Sequence, residues 1–307
     1  MTTSPPSSFD PVRWLSQQPY LLLSLASLFW AGNIVLARYV AGHVPPMTLS
    51  CIRWIGACLM LLPFAWPHLK RDWPVLRQHL PLLVGLSAAG FAFNNALSYW
   101  ALQYTQAINA LLIQSSGPLF VALWALILFG VRLTLSQAAG IVLSLAGVLT
   151  IILRGDFASL AEVRFNIGDI MFAGALVSFG LYSALMLRRP LTHQLSLITF
   201  TMACGALLLL PLSILEYANG IRLKLDAISV ATLVYVVIFP STLAYLFFNR
   251  GIVAIGPNRA APFFHLVPVF GSVMAILLLG EQPHLFHLVG YVMVFAGVVI
   301  ASRKTSG

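Results

Sequence analysis

The chain has 307 residues and a formal net charge of +9, but only 8% of its residues are charged and 60% are hydrophobic. A soluble domain carries about 25% charged residues, so this composition excludes a soluble globular protein. The basic residues are scattered at the ends of apolar runs, which is typical of membrane anchoring and argues against a nucleic-acid-binding surface.

Ten apolar runs are long enough to cross a bilayer, because a spanning helix needs roughly 20 mainly apolar residues. The runs of the first half are Tyr20–Val40, Met47–Trp66, Leu80–Leu102, Gln106–Phe129 and Ser136–Leu153. Those of the second half are Asn166–Leu187, Thr192–Leu215, Ala227–Asn249, Asn258–Leu279 and His284–Ala301. No short signal-peptide core precedes the first run, so we expect it to be retained. The sequence therefore predicts an all-α membrane protein with ten transmembrane helices.

The two halves share a pattern of residues 150 positions apart. Residues 110–148 match residues 260–298 at 12 of 39 positions without a gap, and the matches include one Pro and three Gly. Five helices per half is an odd number, so the second half must enter the membrane in the opposite orientation. We predict a first repeat over residues 19–155 and a second, inverted repeat over residues 166–303.

Lys and Arg are distributed unequally between the two predicted sides. With the N-terminus in the cytoplasm, eleven of them lie inside and five lie outside, and Arg53 lies within the second run. Because cytoplasmic loops carry an excess of basic residues, this split predicts that both termini are cytoplasmic. We expect a multi-pass protein of the plasma membrane, which is the inner membrane in a bacterium.

Four short motifs carry a family resemblance. Residues 29–33 read FWAGN, residues 46–54 read PMTLSCIRW, residues 116–120 read SGPLF and residues 279–281 read LGE. In this order and spacing they resemble the EamA branch of the drug/metabolite transporter superfamily over nearly the whole chain. The resemblance implies a ten-helix exporter of small metabolites, closest to exporters of amino acids and especially of aromatic ones. The chain departs from the family pattern at one position. Gly130 is followed by Val131, whereas many members carry Glu after this glycine.

Polar and aromatic side chains within the apolar runs are candidates for the lining of a substrate path. Asn95 and Tyr99 are spaced i, i+4 and share a helix face, as do Tyr245 and Asn249 in the matching run of the second half. Adjacent residues diverge on a helix, so Asn94 and Asn95 cannot face one direction. The predicted substrate-binding residues are Trp30, Asn33, Asn95, Tyr99, Gln114, Ser115, Tyr182, Tyr245, Asn249 and His265. Contacts between helices are the alternative explanation for these amides.

The predicted cavity lies between the halves. Runs one, three, four, six, eight and nine should line it, since they carry most of the polar side chains. Runs five and ten should pack outside it, because their glycines suit close helix contact: Gly140, Gly147, Gly290 and Gly297.

Two polar residues inside the membrane leave alternatives open. A central Arg costs about 3 kcal/mol to insert, so Arg53 either binds a substrate carboxylate or serves as a structural clamp. His265 either couples protons or is a neutral donor to a neighbour. It lies three residues before Pro268, which is expected to kink its helix, as is Pro118 in the fourth run.

The eight acidic residues all lie at helix ends or in loops. Ion-driven carriers usually keep a carboxylate within the membrane, so we predict facilitated export by alternating access without ion coupling. The alternatives are a proton-coupled drug or metabolite exporter that uses His265, and a membrane sensor or scaffold that transports nothing. We expect a monomer with no enzymatic activity, cofactor, metal or nucleic-acid partner, although His284 and His287 are spaced as weak metal ligands could be.

Overall fold

The computed structural model describes residues 11–40, 42–105, 110, 113–162, 166–279, 282 and 284–303. These residues form helices joined by short turns, and no strand occurs among them. Helices α1 to α5 are Pro19–Tyr39, Pro46–Gln78, Leu80–Tyr104, Gly117–Phe129 and Leu135–Ile152. Helices α6 to α10 are Ile167–Arg188, Gln194–Ala218, Ala227–Ile255, residues 257–279 and Leu285–Ser302.

Eight of these described helices are long and apolar enough to cross a membrane, and the other two are α4 and α9. Helix α4 has 13 residues, and the start predicted for the fourth run, at Gln106, lies outside the described residues. Helix α9 is interrupted by a 3-10 turn at Ala261–His265, where Pro262 has no backbone N–H to donate. The chain is an all-helical membrane protein with five apolar segments in each half.

The contacts between helices repeat from one half to the other. Helix α2 packs along α7 and α5 packs along α10, so these helices contact their own repeat mates. Helix α1 packs against α8 and α9, and its mate α6 packs against α3 and α4. Exchanging the two halves therefore maps one set of contacts onto the other, as a pseudo-two-fold axis requires.

Glycines allow α5 and α10 to approach closely. A Cβ atom on Gly140 would lie 2.5 Å from the carbonyl oxygen of Gly297, and one on Gly147 would lie 2.7 Å from that of Gly290. Larger residues would push the two backbones apart. The four glycines thus have the packing role that their spacing predicts.

The same two helices begin with matching caps. The backbone N–H of Thr134 donates to Gln137 Oε1 at 2.9 Å, and that of His284 donates to His287 Nδ1 at 3.0 Å. Thr134 and Gln137 form a complete capping box, and the His287 side chain accepts from the first backbone donor in the same way, so both contacts satisfy a free backbone N–H at a helix start. The cap explains the three-residue spacing of the two histidines without any metal.

Helices α3 and α8 each contain a π-helical segment, over Ala88–Phe93 and Val237–Leu243. The two segments lie 150 residues apart, so they are repeat mates, and Pro240 within the second removes a backbone donor. Such segments free carbonyl groups and often occur at functional sites. Here side chains satisfy the carbonyls, as Asn95 Nδ2 does by donating to Phe91 O at 2.9 Å.

Polar contacts tie helices together at each end of the bundle. At one end, called the basic end, Arg259 donates to the carbonyl of Ser302 at 2.6 Å and to the Tyr20 hydroxyl at 2.8 Å. These bonds join the start of α1, the α8–α9 junction and the end of α10. At the opposite end, His43 Nε2 lies 2.8 Å from Asp226 Oδ2 and ties the α1–α2 turn to the start of α8.

Candidate functional site

A cavity lies between the two halves, towards the end of the bundle that holds His43 and Asp226 and away from the basic end. Its water-accessible volume is about 90 Å³, and the space between its atoms is about 770 Å³ when the open mouth is included. Its described lining comes from α1, α2, α3, α4, α6, α8 and α9 and from Gln114, whereas α5, α7 and α10 contribute no described lining residue. The polar side chains of the wall are Asn33, Arg53, Asn94, Asn95, Ser98, Tyr99 and Gln114.

Among the described residues of the wall, Arg53 is the one with a charged side chain, and only 2% of its surface is exposed. It lies seven residues after the start of α2 at Pro46, which is about 10 Å along the helix. Its Nε donates to Ser241 Oγ at 2.8 Å, and its Nη1 donates to Asn95 Oδ1 at 2.9 Å and to the Tyr99 hydroxyl at 2.6 Å. The guanidinium thus bridges α2, α3 and the π-helical segment of α8.

The partners of Arg53 are all neutral. The Tyr99 hydroxyl accepts from Arg53 and donates to Asn33 Oδ1 at 2.8 Å, which extends the network to α1. Among the described residues, Arg53 Nη2 donates to none. Burying a charge costs several kcal/mol unless an opposite charge or strong hydrogen bonds compensate it. Within the described part of the chain, the network therefore leaves the positive charge of Arg53 uncompensated by an acidic group at the cavity wall.

The other wall of the cavity is aromatic. The ring of Trp30 stacks on that of Phe264, with centroids 5.4 Å apart and an interplanar angle of 11°. Phe179 and Tyr245 meet Trp30 edge-on, at 5.8 Å and 5.7 Å. Trp30 Nε1 donates to the carbonyl of Pro240 at 3.2 Å, which fixes the ring beside the π-helical segment of α8. Such a wall suits the flat apolar part of a small molecule.

A second cavity lies at the basic end, between the α6–α7 connection and the last turns of α8. Asn249 lines this cavity, whereas Tyr245, one turn earlier on α8, lines the central one. Four helical residues span about 6 Å, so only one turn of side chains separates the two cavities along α8.

An aromatic barrier, formed by Phe91, Tyr182, Tyr245 and Phe248, fills the space between the two cavities. All four side chains are buried. The Tyr182 hydroxyl donates to Asn249 Oδ1 at 2.6 Å and the Tyr245 hydroxyl donates to Gly90 O at 2.8 Å. These bonds join α6 to α8 and α8 to α3. The central cavity is therefore closed towards the basic end.

His193 lines the second cavity and lies between the membrane helices α6 and α7. Its ring stacks on that of His68, with centroids 3.6 Å apart, and its backbone N–H donates to Asp72 Oδ2 at 2.8 Å. Burial lowers the pKa of His193 below its ordinary value of 6.5, and the neighbouring His68 lowers it further, against the opposing effect of Asp72. The neutral form of His193 is thus favoured at this end.

Six of the ten predicted binding residues line the central cavity: Trp30, Asn33, Asn95, Tyr99, Gln114 and Tyr245. Asn94 lines it as well. Asn94 and Asn95 point about 100° apart on the helix, so they do not face one direction, yet both side chains reach the cavity. The sequence left two roles for Arg53, a structural clamp and a contact with a substrate carboxylate. Arg53 lies in the cavity wall, and its hydrogen bonds join three helices as a clamp would.

The other four predicted residues, Ser115, Tyr182, Asn249 and His265, do not line the central cavity. Tyr182 and Asn249 bond to each other across the barrier. His265 is fully buried, and its Nε2 donates to the carbonyl of Ser115 at 2.7 Å, while its Nδ1 pairs with Ser144 Oγ at 2.5 Å. His265 therefore connects α9 to α5 and to the segment before α4.

The two predicted kinks take a different form. Pro118 and Pro268 each lie in the first turn of a helical piece, Gly117–Phe129 and Leu266–Leu279. The helix axis is interrupted just before each proline, where the first turn needs no backbone donor from it. The side chain of His265 is held at one of these interruptions.

Sequence reasoning missed Ser241, Phe179 and Phe264. Phe264 falls on Gln114 in the 150-residue offset, so the repeat already pointed to a lining position. Ser241 showed no signal, because its contact with Arg53 depends on the π-helical turn of α8.

The family model of the EamA-like transporter family matches residues 17–153 and again residues 166–303. The chain is 30% identical to an uncharacterized transporter, YyaM, of Bacillus subtilis (strain 168), over 92% of this chain and 93% of the relative. It is 28% identical to a "probable terminal-alkyne amino-acid exporter" of Streptantibioticus cattleyicolor, over 93% and 92%. It is 26% identical to a "probable amino-acid metabolite efflux pump" of Salmonella typhimurium, over 93% and 95%.

A solved crystal structure shares the fold. It superposes with a TM-score of 0.74 and 20% sequence identity, and the match covers 93% of this chain and 98% of the other. Since a single half could not supply this coverage, the likeness extends over both halves.

Proposed function

The chain belongs to the EamA-like transporter family, and on that premise we propose that it exports small metabolites, above all neutral and aromatic amino acids, from the bacterial cytoplasm. It is a membrane transporter, and this leaves the sensor or scaffold alternative without support. The two relatives named as exporters of amino acids or their metabolites favour this substrate class. The observation that carries the proposal is that the buried guanidinium of Arg53 and the ring of Trp30 line one cavity.

The chemistry of the cavity matches the two ends of an aromatic amino acid. A carboxylate would complete the hydrogen bonding of Arg53, whose Nη2 faces no described partner. The apolar side chain would lie against Trp30, Phe179 and Phe264. Asn33, Asn95 and Tyr99 orient the guanidinium, because each takes part in its hydrogen-bond network.

Alternating access is supported by the two cavities. They approach the same aromatic barrier from opposite ends, and one helical turn of α8 separates their linings. We propose that the repeats, residues 19–155 and 166–303, rock against each other about this barrier. With the termini in the cytoplasm, the state described here opens outwards.

We propose facilitated export, without ion symport, by a monomer. The described wall of the central cavity consists of a guanidinium, amides, hydroxyls and apolar groups. The proton-coupled alternative requires His265 to exchange protons with the path. Both ring nitrogens of His265 are bonded to Ser115 and Ser144, away from the cavity wall, so the geometry does not favour that alternative.

The test is counterflow of labelled phenylalanine in proteoliposomes. We expect external label to accumulate transiently when the vesicles are loaded with unlabelled phenylalanine, with and without a pH gradient. Arg53→Gln should abolish the accumulation, whereas Arg77→Gln, an exposed arginine on the same helix, should keep it. Equal counterflow in wild-type protein and Arg53→Gln would remove Arg53 from the site, and the lack of counterflow for every amino acid tried would refute the proposed substrate class.

A further inference from the structure

We infer that the central cavity recognises the carboxylate and the ring of its substrate but not the ammonium group, so that aromatic carboxylates without an amine are substrates in their own right. The inference rests on the proposed function, because it concerns the same cavity, and it extends the substrate class to aromatic carboxylates that lack an amine. It follows from the charge of the wall, from the direction of its hydrogen bonds and from the packing of its rings.

The described wall of the cavity carries a net positive charge. Arg53 contributes one buried positive charge, and the groups that accept its hydrogen bonds are the neutral side chains of Ser241, Asn95 and Tyr99. Neutral dipoles spread this charge without cancelling it. A carboxylate is therefore attracted and an ammonium group is repelled, and the low dielectric of a buried site strengthens both effects.

The direction of the hydrogen bonds gives the same preference. Asn95 Oδ1 already accepts from Arg53, and Asn33 Oδ1 already accepts from Tyr99. Arg53 and Asn33 both belong to the cavity wall, and among the described residues the donors Nη2 of Arg53 and Nδ2 of Asn33 have no partner. Gln114 offers a carbonyl that an ammonium could use, but a neutral dipole attracts a cation far less strongly than the guanidinium repels it.

The aromatic wall could instead favour an ammonium group, since ring faces bind ammonium groups. Here the rings are occupied by one another. One face of Trp30 is covered by Phe264, and the rings of Phe179 and Tyr245 pack against Trp30 with interplanar angles of 84° and 81°. This packing leaves apolar surface for a substrate ring and is not an open cage for a cation.

The inference has an energetic consequence for a carrier without ion coupling. A zwitterion crosses with no net charge, so the membrane potential does not drive it. An aromatic monocarboxylate carries one negative charge, and 100 mV, negative inside, favours its export about 50-fold. Export of such anions would thus be driven by the potential alone.

Displacement of labelled phenylalanine from the purified full-length protein tests the recognition step. Two competitors each lack one charged group: 3-phenylpropionate lacks the amine, and phenethylamine lacks the carboxylate. We expect 3-phenylpropionate to displace the label at concentrations within roughly threefold of those of phenylalanine, and phenethylamine to be at least about tenfold weaker. Arg53→Gln should weaken the binding of phenylalanine and of 3-phenylpropionate at least about tenfold. The control Arg77→Gln should leave the binding of both compounds unchanged.

A second experiment measures whether transport responds to the membrane potential. In proteoliposomes with an imposed potassium-diffusion potential, labelled 3-phenylpropionate should move towards the positive side and labelled phenylalanine should not respond. Protein-free vesicles measure the part that crosses the bilayer as the neutral acid. Arg53→Lys keeps the charge but loses the planar donors, and it should retain the charge preference with weaker binding even if Arg53→Gln fails to fold.

The outcomes separate this inference from the proposed function. If phenylalanine binds but 3-phenylpropionate does not displace it, or if phenethylamine competes equally, the inference is wrong and the amino-acid proposal stands. If phenylalanine does not bind, labelled 3-phenylpropionate is used directly. Its binding would uphold the inference without the amino-acid proposal, and the failure of both ligands would overturn both.

Discussion

The hydrogen bond between Tyr182 and Asn249 should hold the central cavity closed towards the basic end. It is 2.6 Å long, joins α6 to α8, and is made by side chains with 1% and 3% of their surface exposed. Opening the barrier requires this bond to break. The change Tyr182→Phe removes the hydroxyl and keeps the ring, so it tests the bond without removing the aromatic packing.

The expected size of the effect follows from the bond. A buried neutral hydrogen bond contributes about 1 kcal/mol net, which corresponds to about fivefold in an equilibrium constant. If the bond exists only while the barrier is closed, Tyr182→Phe should raise the fraction of open protein by about that factor.

The assay measures access to the central cavity from each end. Ser98 lines the cavity, so Ser98→Cys in a protein without the three native cysteines is the reporter. A membrane-impermeant thiol reagent added at the basic end should label it about fivefold faster in Tyr182→Phe. The matched control is Tyr235→Phe, which removes a 3.3 Å bond to Phe29 O elsewhere on α8. Equal rates in wild-type protein and Tyr182→Phe would show that this bond is no part of the gate.

Three further predictions concern packing, coupling and pH. Gly147→Ala should lower the free energy of unfolding by about 1–3 kcal/mol, because its Cβ would lie 2.7 Å from Gly290 O, whereas Gly85→Ala has open space and should be neutral or stabilising in thermal unfolding. His265→Gln should lower thermal stability but keep counterflow. Neither this variant nor the wild-type protein should accumulate substrate uphill in a pH gradient. If the wild-type protein does so and His265→Gln does not, the proton-coupled alternative is restored. The lowered pKa of His193 means that the unfolded state binds more protons below pH 6.5, so stability should fall as the pH drops through 6.5 towards the lower folded-state pKa. His193→Gln should flatten that part of the profile, and an unchanged slope would show that other groups cause it.

Much of the architecture was predictable because it depends on composition and periodicity. Apolar runs of about 20 residues must span a bilayer as helices, since no other local structure satisfies the backbone there. Gly140 and its mates were correctly predicted to pack helices together, because a side chain of one hydrogen has a single obvious consequence in a helix contact. The repeat likewise follows from matched residues at a constant offset.

The site was less predictable, because its geometry depends on partners that are distant in sequence. Arg53 is 188 residues from Ser241, and the π-helical turn that brings them together has no local signature. His265 was a reasonable candidate for the lining as a polar residue in mid-membrane. Only its neighbours show that both ring nitrogens are used in packing, 121 residues from Ser144 and 150 from Ser115.

Tyr245 and Asn249 illustrate the division most clearly. Their spacing of one helical turn predicted a shared face, and they do share one on α8. Whether that face lines one cavity or crosses a barrier depends on Tyr182 from α6, which bonds to Asn249 and closes the space between. A helix specifies the direction of its own side chains, but the helix packed against it determines whether those side chains meet a cavity or another residue.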